Sequence, residues 1–579
     1  MTTVVRVVPD VPSFSVDDGF AYRLPEGLEV AVGSIIRVPL GGRRVRGWVV
    51  SIGEPERPRL REVLGVSGDL PVFDQRLLEV LRWAAARYVA PLAALLAKAT
   101  PPNLPYRSTG LEYAPLEPGP LNGLDGTAVV TLVGPGPWAP IVAPRVLRAA
   151  AAGRSSVLIA STVDEAQAVG AAMRAVAGDR VVFASSHLAA ADVTSAWVRA
   201  STMAGTVLVG TREVALWPWA APGLVVLVGE GRRGMKDKAT PTIHTRDAVL
   251  RRQAVERFGV VMCDLVPSAE AITRSSSVTP MGRRAWGHVE IVDRRDDPPG
   301  TGLLAPATQA AMRASLAAGR RVLMFTDRRV AAQRCVSCRS IRRCPRCGAG
   351  PSGGDDCARC GTPVGACSQC GGRRFEALGS AAPRVMAEAA RIVGHDAVGE
   401  AGSTRRVVVG TERDLPGLSV DLTVVVDADG PLLAPNYRAG EDALRVLGRA
   451  VAAAGTGRGR RAVVQTADPG HPVIAALVAG DPVDFVRSDA SRRSAAGFPP
   501  GGEIVVVEAS GLPSGAEREL AEEIGRRAEV HGPAPSGDGL RWLLQGRDLV
   551  PARTVLRGVV GRWREGGARV RVDADPLEL

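Results

Sequence analysis

Eight of the nine cysteines fall within 36 residues, as four Cys-x-x-Cys pairs: Cys335/Cys338, Cys344/Cys347, Cys357/Cys360 and Cys367/Cys370. Each pair can set two thiolates on one side of a tight turn, and two pairs complete a tetrahedral tetrathiolate zinc site. Eight thiolates therefore predict two Zn²⁺ ions per chain. With four sulfurs on each ion and no open position for a water, both sites read as scaffolding. Disulfides are the competing reading, and the opening MTTVVRVVPD, without an apolar signal segment, points away from an oxidising compartment. Arg334, Arg339, Arg342, Arg343, Arg346, Arg359, Arg373 and Arg374 surround the cluster and offset its negative charge. The ninth cysteine, Cys263, ends the strand-like run FGVVMC and reads as a small buried hydrophobe.

The elements that must position this cluster are those of a large α/β body. A chain of 579 residues predicts roughly four domains. Hydrophobic content of 46% and charged content of 23% are those of a globular protein, and no apolar run approaches the ~20 residues of a membrane span. Net charge is +12, which favours a polyanionic partner. Base bias in the gene is the bland alternative, because lysine occurs only at Lys98, Lys236 and Lys238 and arginine carries the rest. The first hundred residues hold β-type segments (VVRVVP, FAYRLP, SIIRVPL, RGWVVSIG) separated by Gly and Pro, as in a small barrel. A helical pattern follows from Asp74 to Ala99, broken at Pro91, and then a Pro-rich linker. From Thr127, apolar runs (AVVTLVG, SVLIAS, RVVFAS, TVLVGT, LVVLVG, GVVMCD) alternate with Ala-rich helical stretches, the pattern of buried parallel strands. A second set follows (RRVLMFTD, RRVVVGT, LTVVVDAD, RAVVQTA), interrupted by the cysteine cluster after its first strand.

The order of FAYRLPEG with RVPLGGR, VLVGTREVALWP, the cysteine cluster, VVVGTERDLPG and RVRVDADPLEL resembles the PriA family of replication-restart helicases nearly end to end. The resemblance implies an α/β multidomain fold. It consists of a DNA 3′-end-binding-like barrel with helices (1–105), a linker (106–126), two RecA-like helicase lobes (127–295 and 296–495) and a C-terminal α+β domain (496–579). The zinc-binding insertion occupies 335–375 in lobe two, and a winged helix has no room in the linker. The resemblance also implies nested zinc pairing, Cys335/Cys338 with Cys367/Cys370 and Cys344/Cys347 with Cys357/Cys360; spacing alone permits sequential pairing too.

The ATPase motifs depart from the family. A P-loop needs backbone N–H groups to cradle phosphates, a Lys and a Ser/Thr. The matching loop reads Gly134-Pro135-Gly136-Pro137-Trp138-Ala139-Pro140, with three prolines and no Lys between Lys98 and Lys236. The acidic box is reduced to Gly229-Glu230-Gly231-Arg232. Asp164-Glu165 reads as a helix start. In lobe two Pro416 stands where motif V carries a Lys, and of two motif VI arginines Arg449 remains while Ala452 replaces the other. The expectation is a protein that is not an enzyme, with no catalytic or nucleotide-binding residues.

Fork recognition is the remaining implication. The residues matching the family's 3′-end pocket are Phe20, Tyr22, Gly41 and Arg61, with Ala21 in place of an Asp. An aromatic face can stack on a terminal base, a Gly admits the sugar and a cation meets phosphate. The bland reading makes Phe20 and Tyr22 barrel core and Gly41 an ordinary turn. The implied partners are branched or forked DNA, primosome and helicase-loading proteins, and single-stranded DNA-binding protein, with no membrane. The implied location is the cytoplasm, at the nucleoid. The expected function is replication restart without unwinding. The alternatives are an ATP-dependent 3′→5′ helicase with a non-standard nucleotide site, or a zinc-dependent protein scaffold that no longer binds DNA.

Overall fold

The computed structural model describes residues 3–53, 60–107, 127–132, 139–280, 282, 284–298, 301–327, 332–338, 340, 342–346, 362–378, 381–434, 436–536 and 539–579. The N-terminal β-branched runs pair as five antiparallel strands: β1 (Val4–Pro9), β2 (Phe20–Arg23), β3 (Ile35–Leu40), β4 (Arg43–Gly53) and β5 (Gly65–Ser67). Their order is β2-β1-β4-β3-β5, and a bridge from Arg23 to Glu62 brings the edge strand β2 back toward the β5 side. Alternation sends Val5, Val7, Ile36, Val38 and Val49 inward to one small core with Tyr22 and Val63. Helix Gln75–Arg87 starts where Asp74 accepts the Leu77 N–H at 2.8 Å. Pro91 then opens helix Leu92–Ala99, whose first N–H is accepted by Asp17 from another part of the chain at 2.8 Å.

The first parallel sheet holds β6 (Ala128–Leu132), β7 (Ser155–Ala160), β8 (Val181–Ala184), β9 (Val207–Gly210), β10 (Pro222–Val228), β11 (Gly259–Asp264) and β12 (Ser277–Pro280). The order is β12-β6-β11-β10-β7-β9-β8. Its apolar runs are continuous because both faces are covered. Val157 and Ile159 enter one core, while Leu158 and Ala160 enter another on the opposite face.

The second parallel sheet holds β13 (His288–Asp293), β14 (Val322–Phe325), β17 (Val398–Glu400), β18 (Val407–Gly410), β19 (Leu422–Val425) and β20 (Arg461–Thr466), in the order β13-β20-β19-β14-β18-β17. Between β14 and β17 a two-stranded ribbon, β15 (Ala332–Cys335) with β16 (Phe375–Leu378), frames the cysteine cluster. A boundary at 295/296 cuts off β13, which pairs with β20 from His288↔Arg461 to Asp293↔Thr466, so this sheet begins before residue 296.

The C-terminal sheet is β22 (Glu529–Ser536), β23 (Gly539–Gly546), β21 (Glu503–Ser510) and β24 (Arg569–Ala574) in that order, antiparallel throughout. Helix Val550–Glu565 packs Trp563 onto Trp542 at 5.6 Å between ring centroids.

The end of β24 and the segment following it form a strap that ties the units together. Lys236, from the first parallel unit, donates to Asp573 at 2.6 Å and to the carbonyls of Ala574 and Asp575 at 2.7 Å each. Arg87 of helix Gln75–Arg87 pairs with Asp575, and Arg233 with Glu578. From the second parallel unit, Tyr437 donates to the Pro576 carbonyl at 2.7 Å and Asn436 to that of Leu577 at 2.9 Å. Among the described residues no helix is long and apolar enough to cross a membrane.

Candidate nucleic-acid interface and metal centre

Strand β2 places Phe20 and Tyr22 two residues apart, opposite Val7 and Val5 of β1, and hence on one face. Their surroundings differ. Tyr22 is 3% exposed with its ring in the barrel core, while Phe20 is 39% exposed. The Tyr22 hydroxyl donates to the Pro39 carbonyl at 3.2 Å. Two residues on, the β3–β4 turn runs through Gly41 (φ +55) and Gly42 (φ +77), a two-residue connection that needs left-handed backbone at both positions. A Cβ at Gly41 would meet nothing within 4 Å, so the loop is open to an approaching group. Arg61 is exposed, and its carbonyl accepts the N–H of Arg23, next to Tyr22, at 2.9 Å. Burial pushes the Tyr22 phenol above its ordinary range, and the positive charge of Arg61 opposes that shift. Tyr22, Gly41 and Arg61 thus gather at one end of the barrel, with Phe20 on the solvent side of the same strand face. The Tyr22 ring belongs to the barrel core, and its hydroxyl is held on a backbone carbonyl.

The cysteine ribbon brings Cys335, Cys338, Cys367 and Cys370 together, with all four sulfurs within 4.8 Å of one another. Cys335 and Cys370 Sγ lie 3.5 Å apart, Cys338 and Cys367 Sγ 3.6 Å. Zinc–sulfur bonds of 2.3 Å in a tetrahedron set sulfurs about 3.8 Å apart, so this donor set fits a tetrathiolate metal. The spacing is too long for disulfides. Tight turns hold it: Cys335 N–H donates to Ser340 at 2.9 Å and Cys367 N–H to Gly372 at 2.8 Å. A Cβ on Gly372 would sit 3.2 Å from Cys335 Sγ and 3.3 Å from Cys370 Sγ, so glycine leaves the sulfurs their room. Arg342 also builds the ribbon: it donates to the Val364 carbonyl at 2.9 Å and lies over the Phe375 ring at 4.7 Å. Cys344 is buried; the assignments to Cys347, Cys357 and Cys360 lie outside the described residues.

Between the two parallel sheets lies the place where the ATPase motifs fall. Residues 133–138 of the P-loop-like segment are outside those described. Glu230 is fully buried and accepts from Ser268 N–H at 2.6 Å, Ser268 Oγ at 3.0 Å and Arg246 at 3.3 Å. Burial raises its pKa against the pull of Arg246. Asp164 and Glu165 do begin a helix capped by Thr162, and Glu165 additionally pairs with Arg232. Arg449 pairs with Glu412 at 2.6 Å.

Sequence reading missed the groups that join the units here. Arg445 reaches across to the Val266 carbonyl at 3.3 Å, and Arg438 bonds Glu270 at 3.0 Å. Glu441 takes Arg445 at 2.7 Å and the Ala269 N–H at 3.3 Å. Burial works against a charged Glu270, yet Arg438 and Arg246 hold it well below the usual carboxylate range. Asp264, at the end of β11, accepts the Gly231 N–H at 3.0 Å. A cavity of about 170 Å³ remains beside these pairs, reached also by His244, Asp575 and Leu577. The signal available in the sequence was the Glu441/Arg445 i,i+4 spacing; the partners in the other unit lie about 170 residues away.

A family model described as a 3′DNA-binding domain (3′BD) of PriA matches residues 6–101. The replication restart protein PriA of Treponema pallidum is 24% identical along the whole of both chains. Those of Synechocystis and Haemophilus influenzae are each 23% identical, over 70% and 66% of this chain and 57% and 60% of their own length. The solved structure of RecG bound to a three-way DNA junction aligns with 64% of the chain at 12% identity and a TM-score of 0.37. The PriA matches correct one expectation. They set the chain beside an enzymatic family, and the departures in the P-loop and acidic box do not by themselves make it a non-enzyme. With a match to the 3′DNA-binding domain model at one end and sequence similarity running through the rest, the chain is similar along its whole length to replication restart protein PriA.

Proposed function

We propose that this protein acts in replication restart. It captures the free 3′ end of a nascent strand at an abandoned fork in the pocket formed by Phe20, Tyr22, Gly41 and Arg61, and then supports reloading of the replicative helicase. The observation that carries the reading is the convergence of Tyr22, the open Gly41 turn and Arg61 at one end of the domain matched by the 3′DNA-binding model. Phe20 offers a stacking face, Gly41 lets backbone approach the sugar and Arg61 meets phosphate. Ala21 supplies no carboxylate for the 3′-hydroxyl.

The two parallel-sheet units act as helicase-like lobes in this reading. The ribbon module carries two Zn²⁺, one on Cys335, Cys338, Cys367 and Cys370, the other on Cys344, Cys347, Cys357 and Cys360. Zinc supplies the folding energy of a module with almost no core of its own. Primosome and helicase-loading proteins and single-stranded DNA-binding protein are the protein partners, and the cytoplasmic nucleoid the place of action.

The test is nucleotide-free binding of the full chain to a fork bearing a leading-strand 3′-hydroxyl, against the same fork with a 3′-phosphate and against plain duplex, near physiological salt. Electrostatics alone gives about 10⁻⁴–10⁻⁶ M without preference. Tighter binding to the 3′-hydroxyl fork, lost in Arg61→Gln and Phe20→Ala, is the expected result. Equal binding to all three sinks the reading. Fork-stimulated phosphate release from ATP measures the family's enzymatic activity in the same preparations.

A further inference from the structure

We propose that the β3–β4 hairpin is a phosphate rail for the strand running away from the 3′-end pocket, with Arg37, Arg43 and Arg44 as its contacts. The inference rests on the 3′-end reading above and adds residues to it.

The register puts Arg37 opposite Arg46, Pro39 opposite Arg44 and Leu40 opposite Arg43. Ile36 and Val38 are committed to the barrel core, so alternation turns Arg37 outward, on the same face as Pro39, Arg44 and Arg46. Arg46 is already taken: Asp10 receives two of its N–H groups at 3.0 and 2.6 Å. Arg37, Arg43 and Arg44 are exposed, and among the described residues no carboxylate pairs with them. Three unneutralised guanidiniums on one short hairpin repel one another, an arrangement that a polyanion relieves.

Place and spacing then select the anion. The hairpin tip is Gly41–Gly42, and the Pro39 carbonyl at its shoulder is the acceptor of the Tyr22 hydroxyl, so the rail starts beside the pocket. Arg37 and Arg44 share that face one repeat apart, about 6.7 Å along the hairpin, comparable to the step between successive phosphates of an extended nucleic-acid strand, while Arg43, paired with Leu40, leaves the turn from the opposite face. The guanidinium fork suits phosphate oxygens, and contacts of this kind position DNA without reading its sequence.

The experiment measures binding of the full chain to the 3′-hydroxyl fork between about 50 and 200 mM salt. Compared are the wild type, each single Arg→Gln change at 37, 43 and 44, the triple change and the triple Arg→Lys change. Each contact removed should lower the slope of log K against log salt by about 0.7–0.9. The triple Gln variant should lose about 2–3 units of slope, and the triple Lys variant should recover most of it. The preference for 3′-hydroxyl over 3′-phosphate should persist in all of them. An unchanged slope in the triple Gln variant overturns the rail, as does loss of end preference with the slope intact, which would move these residues into the pocket. Absence of end preference in the wild type defeats the pocket reading instead, and the slope comparison still decides the rail.

Discussion

A single side chain decides most at Tyr22. Its ring is needed by the core, so Tyr22→Ala would damage the barrel and the pocket together, whereas removing the hydroxyl alone frees the Pro39 carbonyl and the glycine turn. The cysteines are separable in a cleaner way. Cys335 and Cys338 share one cluster with Cys367 and Cys370, so under the proposed two-zinc arrangement Cys335→Ser should release one zinc and leave the other. Metal analysis of the purified variant reads this directly, and retention of both ions would remove the assignment. The four Cys-x-x-Cys pairs were legible as spacing, since that is local chemistry, whereas the grouping of Cys335/Cys338 with Cys367/Cys370 came from the family resemblance, spacing alone permitting sequential pairing as well. Arg342 was not legible, because neither the Val364 carbonyl nor the Phe375 ring that claims it is near in sequence.

Helix Leu92–Ala99 shows how an element can depend on a distant capping group. Pro91 at its N-cap has no side chain with which to cap it, and Asp17 does so from the far side of the barrel while pairing with Arg557 of helix Val550–Glu565 at 2.7 Å. Burial pushes the Asp17 carboxyl up to about 6, against the Leu92 N–H and Arg557. The folded state therefore holds a proton here that the unfolded chain, titrating near 4, has already released. This group's contribution to stability is greatest below about pH 4 and is lost as pH rises to about 6. The melting temperature of the wild type relative to Asp17→Asn should accordingly rise between pH 7 and pH 5, and a difference independent of pH would refute the linkage. Elements of this kind mark where sequence reading stops. The continuous apolar strands, the helical start at Asp74 and the Pro91 break were all visible. Strand β13 was not, because HVEIVD lies at a sheet edge with His288 and Asp293 exposed and lacks an apolar run. That is why the second sheet seemed to begin later than it does.

At the scale of the whole molecule, few long-range ties carry great weight. One of three lysines, Lys236, is buried against Asp573 and two carbonyls, with no exposed alternative. Lys236→Met leaves Asp573 Oδ1 and two carbonyls without that donor, while Arg571 still holds Asp573 Oδ2 at 2.7 Å, a loss on the order of 1–3 kcal/mol. Denaturant unfolding should show it, and a change under about 1 kcal/mol would mean that the strap is a passenger. The pairs across the two parallel units escaped sequence reading for the same reason as the strap: charge pairs separated by hundreds of residues leave no periodic trace.

The strap also sets a timetable. Lys236 leaves the ribosome 337 residues before Asp573, which at 5–20 residues per second is a wait of roughly 15–70 s. During that interval each earlier unit can gather its own sheet, but the cations meant for the strap stay hydrated and the junction among the units stays open. Maturation is therefore a late docking event, and the nascent chain spends most of its synthesis as a string of partly finished units with exposed seams, a natural client for chaperones.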